Sequence, residues 1–133
     1  MKLYSLSFLK NWRSLQVFER KSSSSLMIVR CFYCGEQSTG RLYLGIRASK
    51  KVGGAVLRNF LRRRMRNIAQ EIFLNQKLHL NCVYLISILP PASNANFLSL
   101  REDFTGACES LYQKIDSSHR RLSSNRKNLL ESA

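Results

Sequence analysis

The sequence predicts an α/β fold of the α+β sandwich type: a small mixed sheet of about four strands packed with three helices, in the order α-β-β-(β)-α-β-α. Three observations predict it. Apolar residues recur at helical spacing in three separate stretches, β-branched and aromatic runs lie between them, and Gly or Pro clusters separate the two kinds of pattern. With 133 residues, 44% of them hydrophobic, the chain has material for one domain with a real core.

Lys10 to Arg20 is expected to be a short amphipathic helix, with Trp12, Leu15 and Phe18 on one side and Arg13, Gln16 and Arg20 on the other. The serine-rich Lys21 to Ser25 then reads as a loop. Leu26 to Tyr33 and Arg41 to Ala48 read as strands, and the turn chemistry of Gly35 to Gly40 between them suggests a hairpin. After the break at Val52-Gly53-Gly54, a long helix is expected from about Ala55 to Leu74. Its Leu57, Leu61, Met65, Ile68 and Ile72 fall within an arc of about 80° at 100° per residue, a stripe suited to covering a sheet. Cys82 to Leu89 has the composition of a buried strand, stopped by Pro90-Pro91. A last helix follows from Leu98 to Ile115, on Phe104, Cys108, Leu111 and Ile115. Residues 1–116 thus form one expected domain, and 117–133 a basic tail that need not fold.

The charge is lopsided. The formal net charge is +14 and the pI about 10.3. From Gln37 to Gln70 there is no acid, while Arg41, Arg47, Lys50, Lys51, Arg58, Arg62, Arg63, Arg64 and Arg66 are all cationic. A solvated helix face normally interleaves acids; here Arg58, Arg62 and Arg66 repel one another at i,i+4 spacing, which a polyanion would relieve. Arginine grips phosphate bidentately, and Asn59 both donates and accepts toward a sugar, a base edge or a metal-bound water. Nucleic acid is the expected partner. The glycines ahead of the helix suit close approach of an anion, but the spacing of a P-loop is absent and nucleotide hydrolysis is not supported.

The run Leu44-Gly45-Ile46-Arg47-Ala48-Ser49-Lys50-Lys51-Val52-Gly53-Gly54-Ala55-Val56-Leu57-Arg58-Asn59, continuing to Arg62-Arg63, resembles the signature of the bacterial ribonuclease P protein component. The similarity in element order extends from Leu9 to about Ile115. The resemblance implies a small cytoplasmic subunit that joins a catalytic RNA to remove the 5′ leader of precursor tRNA, with magnesium ions held mainly by the RNA. It implies RNA contacts at Lys50, Lys51, Arg58, Asn59, Arg62 and Arg63, to which the charged face adds Arg66. Phe60 departs from the pattern: it stands where the family usually has the second arginine of an Arg-Asn-Arg motif, and Arg64 or Arg47 are the nearest sources of replacement charge. The resemblance also implies a cleft for the single-stranded leader between the first helix and the sheet. Phe18, Arg30 and Phe32 are candidates for it, although Ser14 replaces a usual aromatic, and Phe32 serves equally well as a core residue.

Other chemistry is poorly supported. Cys31-Phe32-Tyr33-Cys34 has the spacing of half a zinc site, but Cys82, Cys108, His79 and His119 are isolated, and strand residues three apart point to opposite faces. No metal ligands and no catalytic residues are assigned. Glu102 and Asp103 diverge on one helix, so a protein-only nuclease lacks a carboxylate cluster. The alternative function is a general RNA-binding or ribosomal protein. A membrane-docking or calmodulin-binding helix is a distant third, and no protein partner is required. Four cysteines and no secretory segment favour a reducing cytoplasm, although the acid-free first eighteen residues also suit an organellar transit peptide.

Overall fold

The last strand in the chain is the centre of the sheet. In the computed structural model, which describes residues 3–5, 18–33, 42–75 and 82–131, the elements run β1 (Leu3–Ser5), β2 (Phe18–Ser23), β3 (Met27–Tyr33), β4 (Leu42–Ala48), α1 (Ala55–Asn75), β5 (Cys82–Ile88), a 3-10 segment (Pro90–Asn94) and α2 (Phe97–Glu131). The strands order as β1-β4-β5-β3-β2. β5 pairs antiparallel with β3 and parallel with β4, and α1 supplies the crossover that the parallel pair requires. The fold is therefore a mixed α+β sheet, as expected, with four strands of six or seven residues and a three-residue strand at one edge.

Several expected elements differ. The strands β3 and β4 are not a hairpin, because β5 inserts between them. The hairpin is instead β2–β3, with Phe18 opposite Tyr33 and Ser23 opposite Ile28. Phe18 to Arg20 therefore open a strand rather than end a helix, and Lys21 to Ser23 are strand rather than loop; residues 10–17 of the expected first helix lie outside the described residues. β2 is polar because it is an edge strand, where serine and charge are tolerated and discourage further pairing. Ser24 makes its turn: the Ser24 amide donates to Met27 O, and its Oγ accepts from the amides of Leu26 and Met27. The same hydroxyl donates to Asp103 Oδ2 at 2.5 Å, tying the hairpin to α2.

Both helices cover one face of the sheet. Met27, Val29 and Cys31 of β3, Leu42 and Leu44 of β4, and Tyr84, Ile86 and Ile88 of β5 face Leu61, Met65, Ile68 and Ile72 of α1 and Leu100, Phe104, Leu111 and Ile115 of α2. Of the stripe read from the sequence, Leu61, Met65, Ile68 and Ile72 are buried and Leu57 packs partly buried at its edge, and Ala69 and Phe73 extend it. Phe73 links three elements, its ring 5.1 Å from Tyr84 and 5.9 Å from Phe104, the latter nearly edge-on. The α2 helix is capped by Asn96, whose Oδ1 accepts from the Ser99 amide at 2.8 Å. It continues past Ile115 to Glu131, through most of the stretch read as a basic tail that need not fold; no Gly or Pro follows Gly106 to stop it.

Cys31, Cys82 and Cys108 are free and buried in this core, so the Cys31 reading as a small core residue holds, and Cys34 lies outside the described residues. Among the described residues no group of three His, Cys, Asp or Glu side chains is placed to hold a metal ion. Burial pushes the Cys108 thiol up to about 12, with the charge of Glu109 adding to the shift, and burial also raises Cys31 and Tyr84 well above their ordinary values. Unfolding frees these groups to ionise at their ordinary values. Above pH 9 the unfolded chain thus holds fewer protons than the folded one, and stability falls as pH rises from 9 toward the folded value of about 12. Urea midpoints should drop more between pH 8 and alkaline buffer for the native chain than for Cys108→Ala; equal drops would show that this thiol plays no part.

Candidate nucleic-acid interface

The cationic loop and the arginine helix are one continuous surface. The Val52 amide donates to Ser49 O at 3.0 Å, a turn that puts Lys50 and Lys51 at its exposed tip. The Arg58 amide donates to Gly54 O at 3.0 Å, so α1 begins directly behind that turn. No acid stands in its first turn to compensate the positive end of the helix dipole. Gly53 sits at φ +156°, and a Cβ there would meet Leu57 Cδ2 at 2.6 Å. Gly53→Ala should cost about 1 to 2 kcal/mol, read as a lower unfolding midpoint, and retilt the lysine turn; unchanged stability would show that the chain relaxes there freely.

On α1, Asn59, Arg63 and Arg66 are exposed, and Arg58 and Arg62 are half-buried along the helix flank. Arg62 Nη1 donates to Asn59 Oδ1 at 2.8 Å, which holds the two side chains together. The buried Arg58 Nε has no hydrogen-bond partner. The helix has a single acid, Glu71 in its C-terminal part, and that carboxylate accepts from Arg101 Nη2 of α2 at 2.8 Å. Lys50, Lys51, Arg58, Asn59, Arg62, Arg63 and Arg66 are thus brought to one turn and one helix, with no counter-charge on their half of α1. Such an arrangement suits a run of phosphates.

The second set of candidates lies on the sheet face away from the helices. Cross-strand register places Lys21, Arg30, Leu85 and Gly45 in one row, Glu19, Phe32, Val83 and Tyr43 in the next, and Arg47 beside Ser87 in a third. Arg30 and Phe32 therefore share a face, as their spacing predicts. Arg30 is 43% exposed and its Nε lies 3.9 Å from Glu19 Oε1, a solvent-screened pair of little energetic weight. Phe32 is only 7% exposed, so it is a buried residue of this face and offers little ring surface. Phe18 is not brought into this set: it opens β2 opposite Tyr33, out of register with Arg30 and Phe32. Sequence reading missed Tyr43 and Arg47 as members of the face because β5, which aligns them with β3, is remote in the chain, and missed Lys21 because the strand that sets it opposite Arg30 has the composition of a loop.

Phe60 and Arg64 form a third feature. The Arg64 guanidinium carbon lies 4.6 Å from the centre of the Phe60 ring and 5.8 Å from that of Phe97, on α2. Arg64 therefore lies over the Phe60 ring rather than beside Arg58 and Arg62, so it does not supply the charge expected at position 60. Arg47 is on the opposite side of the sheet from α1 and does not restore that charge either. Among described helices none is long and apolar enough to cross a membrane.

Comparison with known proteins agrees with this architecture. The chain is 32% identical over 92 residues to the ribonuclease P protein component of Shouchella clausii, covering 69% of this chain and 74% of that one. It is 38% identical over 60 residues to the corresponding protein of a Nocardioides species, covering 45% of this chain and 50% of the relative. The structure of the Staphylococcus aureus RNase P protein superposes with a TM-score of 0.62 at 20% identity, over 83% of this chain and 96% of that one. The RNase P protein from Thermotoga maritima gives 0.58 at 17% identity, over 73% and 87%. The fold is shared with both. The Ribonuclease P family profile matches residues 2–112, so from near the N-terminus into α2 this chain belongs to the ribonuclease P protein component family.

Proposed function

We propose that this protein binds the catalytic RNA of ribonuclease P through the Lys50-Lys51 turn and the Arg58, Asn59, Arg62, Arg63, Arg66 face, and promotes endonucleolytic removal of the 5′ leader from precursor tRNA. The observation that carries the reading is the acid-free cationic surface, continuous from turn to helix, on a chain of this family. The protein side chains neutralise phosphate repulsion between the two RNAs, and the chemistry belongs to the RNA with its magnesium ions, in the cytoplasm. The leader passes over the sheet face, where Lys21, Arg30 and Arg47 provide a cationic floor.

The experiment is cleavage of a precursor tRNA by a bacterial ribonuclease P RNA at low magnesium, with and without the protein. Stimulation that depends on the leader is the expected result. RNA binding without stimulation would replace this reading with that of a general RNA-binding protein.

A further inference from the structure

The large apolar side chains exposed on the described surface are few and close in chain position or contact: Val56 at 85%, Phe60 at 50%, Phe97 at 42% and Leu98 at 58%. Val56, Phe60 and Arg64 repeat every four residues and so form one stripe on α1, adjoining Arg63 on the helix circumference. Phe97 opens α2 within reach of the same guanidinium. Arg64 is placed against both rings at distances typical of cation–π contacts, which restrains the rings without covering them.

A ring half open to water costs solvation free energy, and two of them around Arg64 and beside Arg63 fit a partner that is both anionic and aromatic. An apolar protein surface would match the rings but not Arg63, which adjoins the stripe on the helix circumference with no acid on this half of α1. Single-stranded RNA matches both, since each base has a stacking face and each linkage a negative charge. We propose that Phe60 and Phe97, held by Arg64, form a stacking platform for an unpaired RNA base whose flanking phosphates are gripped by Arg63 and its neighbours. The platform rests on the RNA-binding part of the proposed function, and it is separate from the sheet face, which lies on the far side of the sheet from α1.

The test uses the full chain with two probes, a short oligoadenylate and an abasic oligomer carrying the same number of phosphates. The native protein should prefer the oligoadenylate, and Phe60→Ala should reduce the ratio of the two affinities about five- to tenfold, the low end for one stacked base. Phe97→Ala should act in the same direction, and Phe60→Trp should restore the ratio. A native protein that binds both oligomers alike overturns the platform, as does a Phe60→Ala variant that keeps the preference or loses both affinities equally. So does sedimentation showing a self-association that Phe60→Ala abolishes, since the patch would then be covered by a second copy. These outcomes are independent of leader removal. A protein that stacks bases but fails to stimulate a ribonuclease P RNA loses the subunit role and keeps the platform, and the converse result removes the platform alone.

Discussion

Arg58→Ala combined with Arg62→Ala should weaken binding to a bacterial ribonuclease P RNA by about a hundredfold while leaving the unfolding transition nearly in place. Charged hydrogen bonds contribute about 1.5 to 3 kcal/mol each, so two lost arginines remove at least about tenfold apiece. Both side chains lie on the flank of α1 beside the buried stripe, but neither belongs to the core, and Arg62 bonds only to the exposed Asn59 among the contacts described. The salt dependence identifies the mechanism. Two fewer neutralised phosphates should flatten the slope of log affinity against log salt by about 2, whereas Arg→Lys at the same positions should keep the slope and lose affinity through the missing bidentate grip. Filter binding across a salt series, with urea melts of the same proteins, measures both. An unchanged slope in the double alanine variant would remove these arginines from the interface.

The parts of this molecule legible from sequence are those that depend on local periodicity. The α1 stripe, its cationic flank, the stop at Pro90-Pro91 and the alternation of Arg30 with Phe32 follow from 3.6- and 2-residue periods within single elements. The strand order does not. A hairpin of β3 with β4 is a reasonable local expectation, and it fails because β5 offers an apolar strand buried on both faces that each of them pairs with more profitably than with the other. The β2 strand was hidden for a related reason: an edge strand with serines and charges has the composition of a loop, and only its partner reveals it. The Arg64 contact with Phe97 joins two helices far apart in the chain, so the resemblance could mark Phe60 as a departure from the family pattern while local periodicity carried no sign of the Arg64 and Phe97 contacts around it. The helix beyond Ile115 lacks the apolar repeat on which sequence reading relied, although nothing in its composition forbids it.

Phe104→Ala should produce the opposite phenotype to the arginine variants. Phe104 is fully buried, and it meets Phe73 of α1, which in turn meets Tyr84 of the central strand. Truncation therefore opens a cavity where both helices and the sheet converge, at a cost of about 3 to 5 kcal/mol. That is a large share of the roughly 5 to 15 kcal/mol that holds a typical domain together. Leu61→Ala, on the α1 stripe, should cost about 2 to 5 kcal/mol by the same mechanism. Neither change removes a charge, so the salt slope of RNA binding should be that of the native protein at temperatures where the variant is folded. Because RNA binds the folded form alone in this scheme, excess RNA should raise the melting temperature of Phe104→Ala and recover its apparent activity by mass action. The same excess should leave the flattened salt slope of the arginine variant unchanged. Melting curves with and without RNA, set beside the salt series, separate the two kinds of defect. If Phe104→Ala flattened the slope as the arginine variant does, the division of this protein into a core that supports α1 and a face that binds would have to be redrawn.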